Sequence, residues 1–175
     1  MREKQWVHID CNGNGFASLA EIDKGIKAVI QLPTIFDLKP VIMRAFQAAK
    51  TSVKSKSSND DEYVTKAEYR FLLKYLRQYY EYWVAFDSID ISHDKRVNKE
   101  EFIKAIPLLE KWGINMSDEE AQWEECDSDD SGMILFSDFC DWAIKKNLDL
   151  DKDDDVDSTD MLGIKTSAKS NVLTK

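Results

Sequence analysis

The twelve residues from Asp10 to Glu21, D-C-N-G-N-G-F-A-S-L-A-E, constrain this chain more than any other feature. They fit the pattern D-x-[DN]-x-[DN]-G-x5-E at every specified position. That pattern describes a loop that wraps a calcium ion with oxygen ligands, about six to eight in all. Asp10, Asn12 and Asn14 stand at positions 1, 3 and 5 with side-chain oxygens. Phe16 offers its backbone carbonyl at position 7, and Ser18 sits at position 9. Glu21, at position 12, is long enough to bind with both carboxylate oxygens. Gly15 at position 6 permits the positive φ of the sharp turn. An acidic surface turn before a helix is the plainer alternative. Recurrence, with helices on both sides, decides between the two.

The pattern recurs with decreasing fidelity. Calling the stretch above loop I, a further loop (loop III) runs from Asp90 to Glu101, D-I-S-H-D-K-R-V-N-K-E-E. Asp90, Ser92, Asp94, Asn98 and Glu101 take positions 1, 3, 5, 9 and 12, with the Arg96 carbonyl at position 7. Val97, at position 8, is the apolar residue expected to bridge to a partner loop. Lys95 replaces the usual glycine at position 6, at a cost of about 1 kcal/mol for a side chain at positive φ, so a competent but weakened site is expected. Loop IV runs from Asp127 to Asp138, D-S-D-D-S-G-M-I-L-F-S-D. Asp127, Asp129 and Ser131 hold positions 1, 3 and 5. Gly132, the Met133 carbonyl and Ile134 follow at positions 6, 7 and 8. Asp138 replaces glutamate at position 12, so a single oxygen is expected to reach the metal. That lowers calcium affinity and tilts the loop toward magnesium, which prefers compact octahedral geometry.

Loop II shows only by register. In Ser57–Glu68, Val64 and Glu68 fall at positions 8 and 12, but Ser57 replaces the first aspartate and Glu62 the glycine. It is expected to bind no calcium and to pair structurally with loop I. A charged Ser/Asn loop without this register is the alternative.

Helical periodicity flanks these loops, and the expected fold is all-α: two paired helix–loop–helix lobes joined by a long central helix and packed together. Leu19, Ile22, Ile26 and Val29–Ile30 follow helical spacing, with Pro33 beyond. Pro40 suits a helix start, continued by Ile42, Ala45, Phe46 and Ala49. Trp6 and Ile9 anchor a short helix before loop I. Phe102, Ile103, Ile106 and Leu109 lead to Trp112 and a stop at Gly113, with Pro107 bending the last turn. Ser117 and Glu120 read as a capping box. Phe139, Trp142, Ala143 and Ile144 form the last apolar stripe.

From about Lys66 to Ile89 there is no proline or glycine. Tyr69, Leu72, Leu73, Leu76, Tyr80 and Trp83 lie along one face of that helix, and Phe71, Tyr75, Tyr82 and Phe86 along another. A solvated linker is polar most of the way round, so both faces are expected to be covered. An exposed aromatic groove for a partner is the alternative. The expected lobes are residues 1–68 and 69–150. Residues 151–175, acidic and then Ser/Thr/Lys-rich, are expected to form a tail without a core of its own.

Composition sets further bounds. The formal net charge of −9 disfavours nucleic acid as a partner, since phosphate binding needs a basic face. Cys11, Cys126 and Cys140 are too few and scattered for a disulfide framework or a zinc site, and suit a reducing compartment. Residue 2 is Arg, which breaks the myristoylation pattern, and no apolar signal region is seen. Membrane attachment is therefore not expected. His8 and His93 are the only histidines, one before a loop and one inside a loop. With no nucleophile–base pair or phosphate loop, an enzyme is not expected.

The paired loops, the aromatic central helix and the run EEFIKAIPLLEKWGINMSDEEAQWEECDSDDSG resemble the flagellar calcium-binding proteins, or calflagins, of protists. The resemblance covers most of residues 10–147. It implies four EF-hands, calcium as the bound ion and a cilium or flagellum as the location. It also implies that the last two hands carry most of the calcium, at Asp90, Asp94 and Glu101 and at Asp127, Asp129 and Asp138. The chain departs from that pattern in its well-formed first loop, in Asp138 and in Arg2, which does not fit the acylated N-terminus the resemblance implies. Two roles follow as expectations: a calcium sensor or buffer acting on a protein target, or a structural part of the axoneme beside microtubule neighbours.

Overall fold

The computed structural model describes residues 2–30, 38–52, 62–148 and 150. The first five residues of loop II, Pro33 and the tail 151–175 lie outside the described residues, as do the side chains of Val29 and Ile30. Along the chain run α1 (Arg2–Ile9), β1 (Phe16–Ala17), α2 (Leu19–Ile30), α3 (Lys39–Lys50), β2 (Val64–Thr65), α4 (Tyr69–Ile89), β3 (Arg96–Asn98), α5 (Lys99–Lys104), α6 (Ile106–Lys111), α7 (Glu119–Cys126), β4 (Met133–Leu135) and α8 (Phe136–Lys145).

The short strands sit inside the loops and set their pairing. β1 pairs antiparallel with β2, Ala17 opposite Val64. β3 pairs antiparallel with β4, Val97 opposite Ile134. All four position-8 side chains are fully buried. Loop II thus has the register that Val64 and Glu68 predict, whatever its missing aspartate does to metal binding.

Each helix buries the stripe its spacing dictates. Ile22 and Ile26 of α2, and Val41, Ile42, Ala45, Phe46 and Ala49 of α3, enter one continuous core. Pro40 sits in the first turn of α3, where its missing N–H costs nothing. In the C-terminal half the core is aromatic. The Phe102 ring lies 5.6 Å from that of Trp123 and 5.8 Å from that of Trp142, and Phe86 stands 5.7 Å from both Phe136 and Phe139. α1 and α2 cross closely at Gly25, where an added Cβ would stand 2.7 Å from Ile9 Cγ1.

α4 is the exit helix of the second helix–loop–helix unit and the entry helix of the third. It packs on α3, α5 and α8, so the two halves share one core. Its buried stripe is Tyr69, Leu72, Tyr75, Gln78, Tyr79, Tyr82, Ala85, Phe86 and Ile89. Phe71, Leu73, Leu76 and Trp83 are partly buried against it.

Four expectations need correction. Tyr80 is not a core residue: it is 47% exposed, on a side of α4 that no described helix covers. α4 begins at Tyr69 rather than Lys66, since Lys66–Glu68 form the closing turn of loop II. Pro107 does more than bend its helix. It cannot donate to the carbonyl of Ile103, so helical structure stops at Lys104 and restarts as α6 from Ile106. The cap of α7 is Asp118, whose carboxylate accepts the Ala121 N–H at 3.1 Å, so the helix starts one residue later than a Ser117–Glu120 box places it. The stop at Gly113 holds: with φ at +92°, its N–H donates to Glu110 and that of Ile114 to Leu109, closing α6 as a Schellman turn.

Candidate metal centre

The three aspartate-led loops share one internal wiring. The position-1 carboxylate turns inward and accepts backbone N–H groups from positions 5 and 6. Asp10 accepts from Asn14 at 3.1 Å and Gly15 at 2.9 Å. Asp90 accepts from Asp94 at 3.3 Å and Lys95 at 2.8 Å. Asp127 accepts from Ser131 at 3.1 Å and Gly132 at 2.9 Å. These contacts require a left-handed residue at position 6. Gly15 and Gly132 supply it without cost, and Lys95 takes it at φ +68°.

Positions 3 and 5 tighten the turn further. Asn12 Oδ1 accepts the Asn14 N–H at 2.9 Å, and Asn14 Oδ1 that of Phe16 at 2.8 Å. Asp94 Oδ1 accepts the Arg96 N–H at 2.9 Å. Ser92 Oγ donates to Asp90 at 3.2 Å. In loop IV, Asp129 accepts the Ser131 N–H at 3.2 Å, and Ser131 Oγ donates to the Met133 carbonyl at 2.9 Å. Ser131 holds the exposed Asp129 carboxyl below the ordinary aspartate range, through its hydroxyl first and its N–H second.

Position 12 carries a second job in all four loops. Its carboxylate accepts the backbone N–H of position 9: Ser18 to Glu21 at 3.0 Å, Thr65 to Glu68 at 2.9 Å, Asn98 to Glu101 at 3.0 Å and Leu135 to Asp138 at 2.9 Å. In loop III this completes a capping box, with Asn98 accepting the Glu101 N–H at 3.0 Å.

The other carboxylate oxygen separates the loops. Glu21 Oε1 crosses its loop to the Asn12 amide at 3.0 Å, and Glu101 Oε1 crosses to the Ser92 N–H at 2.9 Å. Asp138 is one methylene shorter and does not cross. Its Oδ1 accepts only from the adjacent Ser137 hydroxyl, at 3.3 Å. Burial raises the Glu101 pKa, but the Asn98 and Ser92 N–H groups outweigh it and hold the carboxyl below the usual glutamate range.

The charge balance says what such loops lack. Asp10, Asp90, Asp127 and Glu101 are 7, 2, 5 and 6% exposed. Among the described residues none of the four forms an ion pair with Lys, Arg or His. A buried carboxylate without a counter-charge is costly, and a hard divalent cation ringed by oxygens supplies that charge. Loops I, III and IV fit such an ion by donor chemistry. Loop II does not offer the position-1 aspartate. The donors lie round each backbone turn: among the described residues no three His, Cys, Asp or Glu side chains already stand close enough together to hold a metal. No described helix is long and apolar enough to cross a membrane.

Sequence reading missed the dual use of position 12 and the glycine at the α1–α2 crossing. The second had a signal: Gly25 interrupts an otherwise apolar helical pattern. The first is invisible in a motif that records ligands only.

Two short antiparallel strand pairs, each joining two helix–loop–helix units through the loops themselves, define an EF-hand protein. A family model described as the FCaBP EF-hand domain matches residues 1–76. A flagellar calcium-binding protein of Trypanosoma cruzi is 32% identical over 148 residues, covering 83% of this chain and 70% of that protein. Flagellar calcium-binding protein TB-17 of Trypanosoma brucei brucei is 30% identical over 156 residues, covering 88% and 67%. The chain belongs to the flagellar calcium-binding protein family. A solved homologue of programmed cell death 6 protein from Leishmania major Friedlin aligns with a TM-score of 0.39 at 18% identity, over 82% of this chain and 71% of that one, a likeness too loose to build on.

Proposed function

We propose that this protein binds calcium in a flagellum and works as a sensor, with loops I, III and IV as its sites and loop II as a structural partner. The relatives it matches are flagellar calcium-binding proteins. The carrying observation is the set of buried carboxylates in those three loops, which form no ion pair among the described residues. Loop III ranks first, with three acidic ligands and a Glu101 that spans the loop. Loop I follows with two, Asp10 and Glu21. Loop IV is the weakest for calcium and the most tolerant of magnesium, because Asp138 stays on its own side. The sensor reading, over a buffer, is supported by α4: one rigid helix leaves loop II and enters loop III, so a change at loop III is carried into the first half. The expected partner is a protein target in the flagellum.

A structural role on the axoneme is the second reading. Loop II favours it, since it keeps strand, register and capping carboxylate without its first ligand. Calorimetric calcium titration ranks the sites. Three binding events are expected, and Glu21→Gln, Glu101→Gln and Asp138→Asn should each remove or weaken one. An unmodified chain that takes up no calcium would overturn the sensor reading. Apolar-dye binding that does not change with calcium would leave a buffer.

A further inference from the structure

Away from the loops, one charged contact ties the two halves together. Arg44 of α3 pairs with Asp141 of α8. Its guanidinium carbon also lies 5.6 Å from the centre of the Tyr79 ring of α4. Three helices thus meet at one cation, two from the first helix–loop–helix pair and one that closes the last loop. The arginine side chain is 27% exposed and the aspartate 63%. Among the described residues Arg44 Nε is buried without a hydrogen-bond partner, and the group is held by Asp141, the tyrosine face and the neighbouring Cys140 thiol.

Asp141 stands three residues beyond Asp138, on the same side of α8. Phe139, Trp142 and Ala143 anchor that helix in the core, and one turn of helix ties Asp141 to any displacement of Asp138. Asp138 does not cross its loop, unlike Glu21 and Glu101. To bring its carboxylate to an ion held by Asp127 and Asp129, the start of α8 must approach the loop by about one carbon–carbon bond, ~1.5 Å. Such a shift pulls Asp141 against an arginine fixed in the other half.

We propose that the Arg44–Asp141 ion pair is a latch on α8 that lowers the calcium affinity of loop IV, which makes Arg44 a positioning residue for a site in the other half of the molecule. Coupling is reciprocal. Calcium in loop IV therefore weakens the hold of α3 on α8, and the first half senses the occupancy of the last loop. This rests on loop IV taking calcium, as proposed above.

Amide NMR during calcium titration of the full chain resolves the sites. The N–H groups of Gly132, Lys95 and Gly15 donate to Asp127, Asp90 and Asp10 and report loops IV, III and I. In Asp141→Asn the Gly132 midpoint is expected to fall two- to fivefold, the size an exposed carboxylate's ion pair supports, while Lys95 and Gly15 keep theirs. The direction is diagnostic, because losing a negative charge near loop IV would by itself weaken cation binding. Arg44→Gln should give the same shift and the double variant no more than either single one. A Gly132 midpoint that is unchanged or higher in Asp141→Asn overturns the latch while leaving loop IV a calcium site. A Gly132 signal unmoved by calcium in the unaltered chain overturns both.

Discussion

Loops II and III are the two ends of one helix, and they spend the same glutamate differently. Glu68 and Glu101 both accept the position-9 N–H, Thr65 at 2.9 Å and Asn98 at 3.0 Å. Both are buried. Glu101 also reaches across its loop to Ser92, beside a buried Asp90. Loop II has Ser57 where Asp90 has its counterpart. The comparison separates architecture from chelation. The position-12 carboxylate stitches strand to exit helix in a loop with a position-1 aspartate and in one without, so a hand can lose that ligand and keep its shape.

The sharpest way to break that comparison is to remove each carboxylate in turn. Glu68→Ala strands the Thr65 N–H and hydroxyl beside a buried site and should cost about 2–3 kcal/mol. Calorimetry should show no lost calcium site. Glu101→Gln should remove the calcium event at loop III with a smaller loss of stability, since the amide oxygen still caps Asn98. A loss of calcium binding on changing Glu68 would show that loop II chelates, and the division would fail.

Next in size is the crossing of α1 on α2. Gly25→Ala places a methyl 2.7 Å from Ile9 Cγ1, too close for the Ile9 side chain to keep its place. The expected cost is about 1–3 kcal/mol by thermal unfolding. Because Ile9 leads directly into Asp10, the loop I midpoint should weaken in the same variant while loop III holds. Equal effects on both loops would mean that the first hand is not an independent packing unit.

Much of this was legible in the chain. Loop II could be placed from Val64 and Glu68 alone, because a buried bridge and a capping carboxylate fix register without any ligand. What was not legible depends on contacts between distant segments. Tyr80 has the spacing of a core residue, yet no described helix covers that side of α4. Ser117 and Asp118 are both good caps, and local sequence does not choose between them. Pro107 announced a distortion, but not that a six-residue α5 would end before it. In the loops, the pattern gave the ligand positions. It also gave the short reach of Asp138, but not the Ser137 hydroxyl that its second oxygen meets instead.

A smaller effect tests loop III against loops I and IV at position 6. Lys95 holds φ +68°, where Gly15 and Gly132 sit without strain. Lys95→Gly should raise stability by about 1 kcal/mol, less what the freer unfolded chain takes back. The N–H to Asp90, at 2.8 Å, is kept by either residue, so calcium affinity should change little. A destabilised variant would mean that the lysine side chain holds more than its backbone angle costs.

The smallest effect concerns acid. The Glu101 carboxyl sits below its ordinary value because the Asn98 and Ser92 N–H groups outweigh the opposing effect of burial. A folded carboxyl that gives up its proton more readily than an unfolded one favours folding only while it is ionised. Its contribution is therefore whole above the ordinary glutamate value of 4.5 and fades as the pH falls through it toward the lower folded value. Unfolding midpoints taken between about pH 6 and pH 3 should decline less steeply in Glu101→Gln than in the unaltered chain. The difference should be modest, since it is the balance of two opposing effects. Identical slopes would mean that the Asn98 and Ser92 contacts hold Glu101 equally well with its proton on. Loop III would then owe its shape to hydrogen bonding rather than to a charge kept ready for an ion.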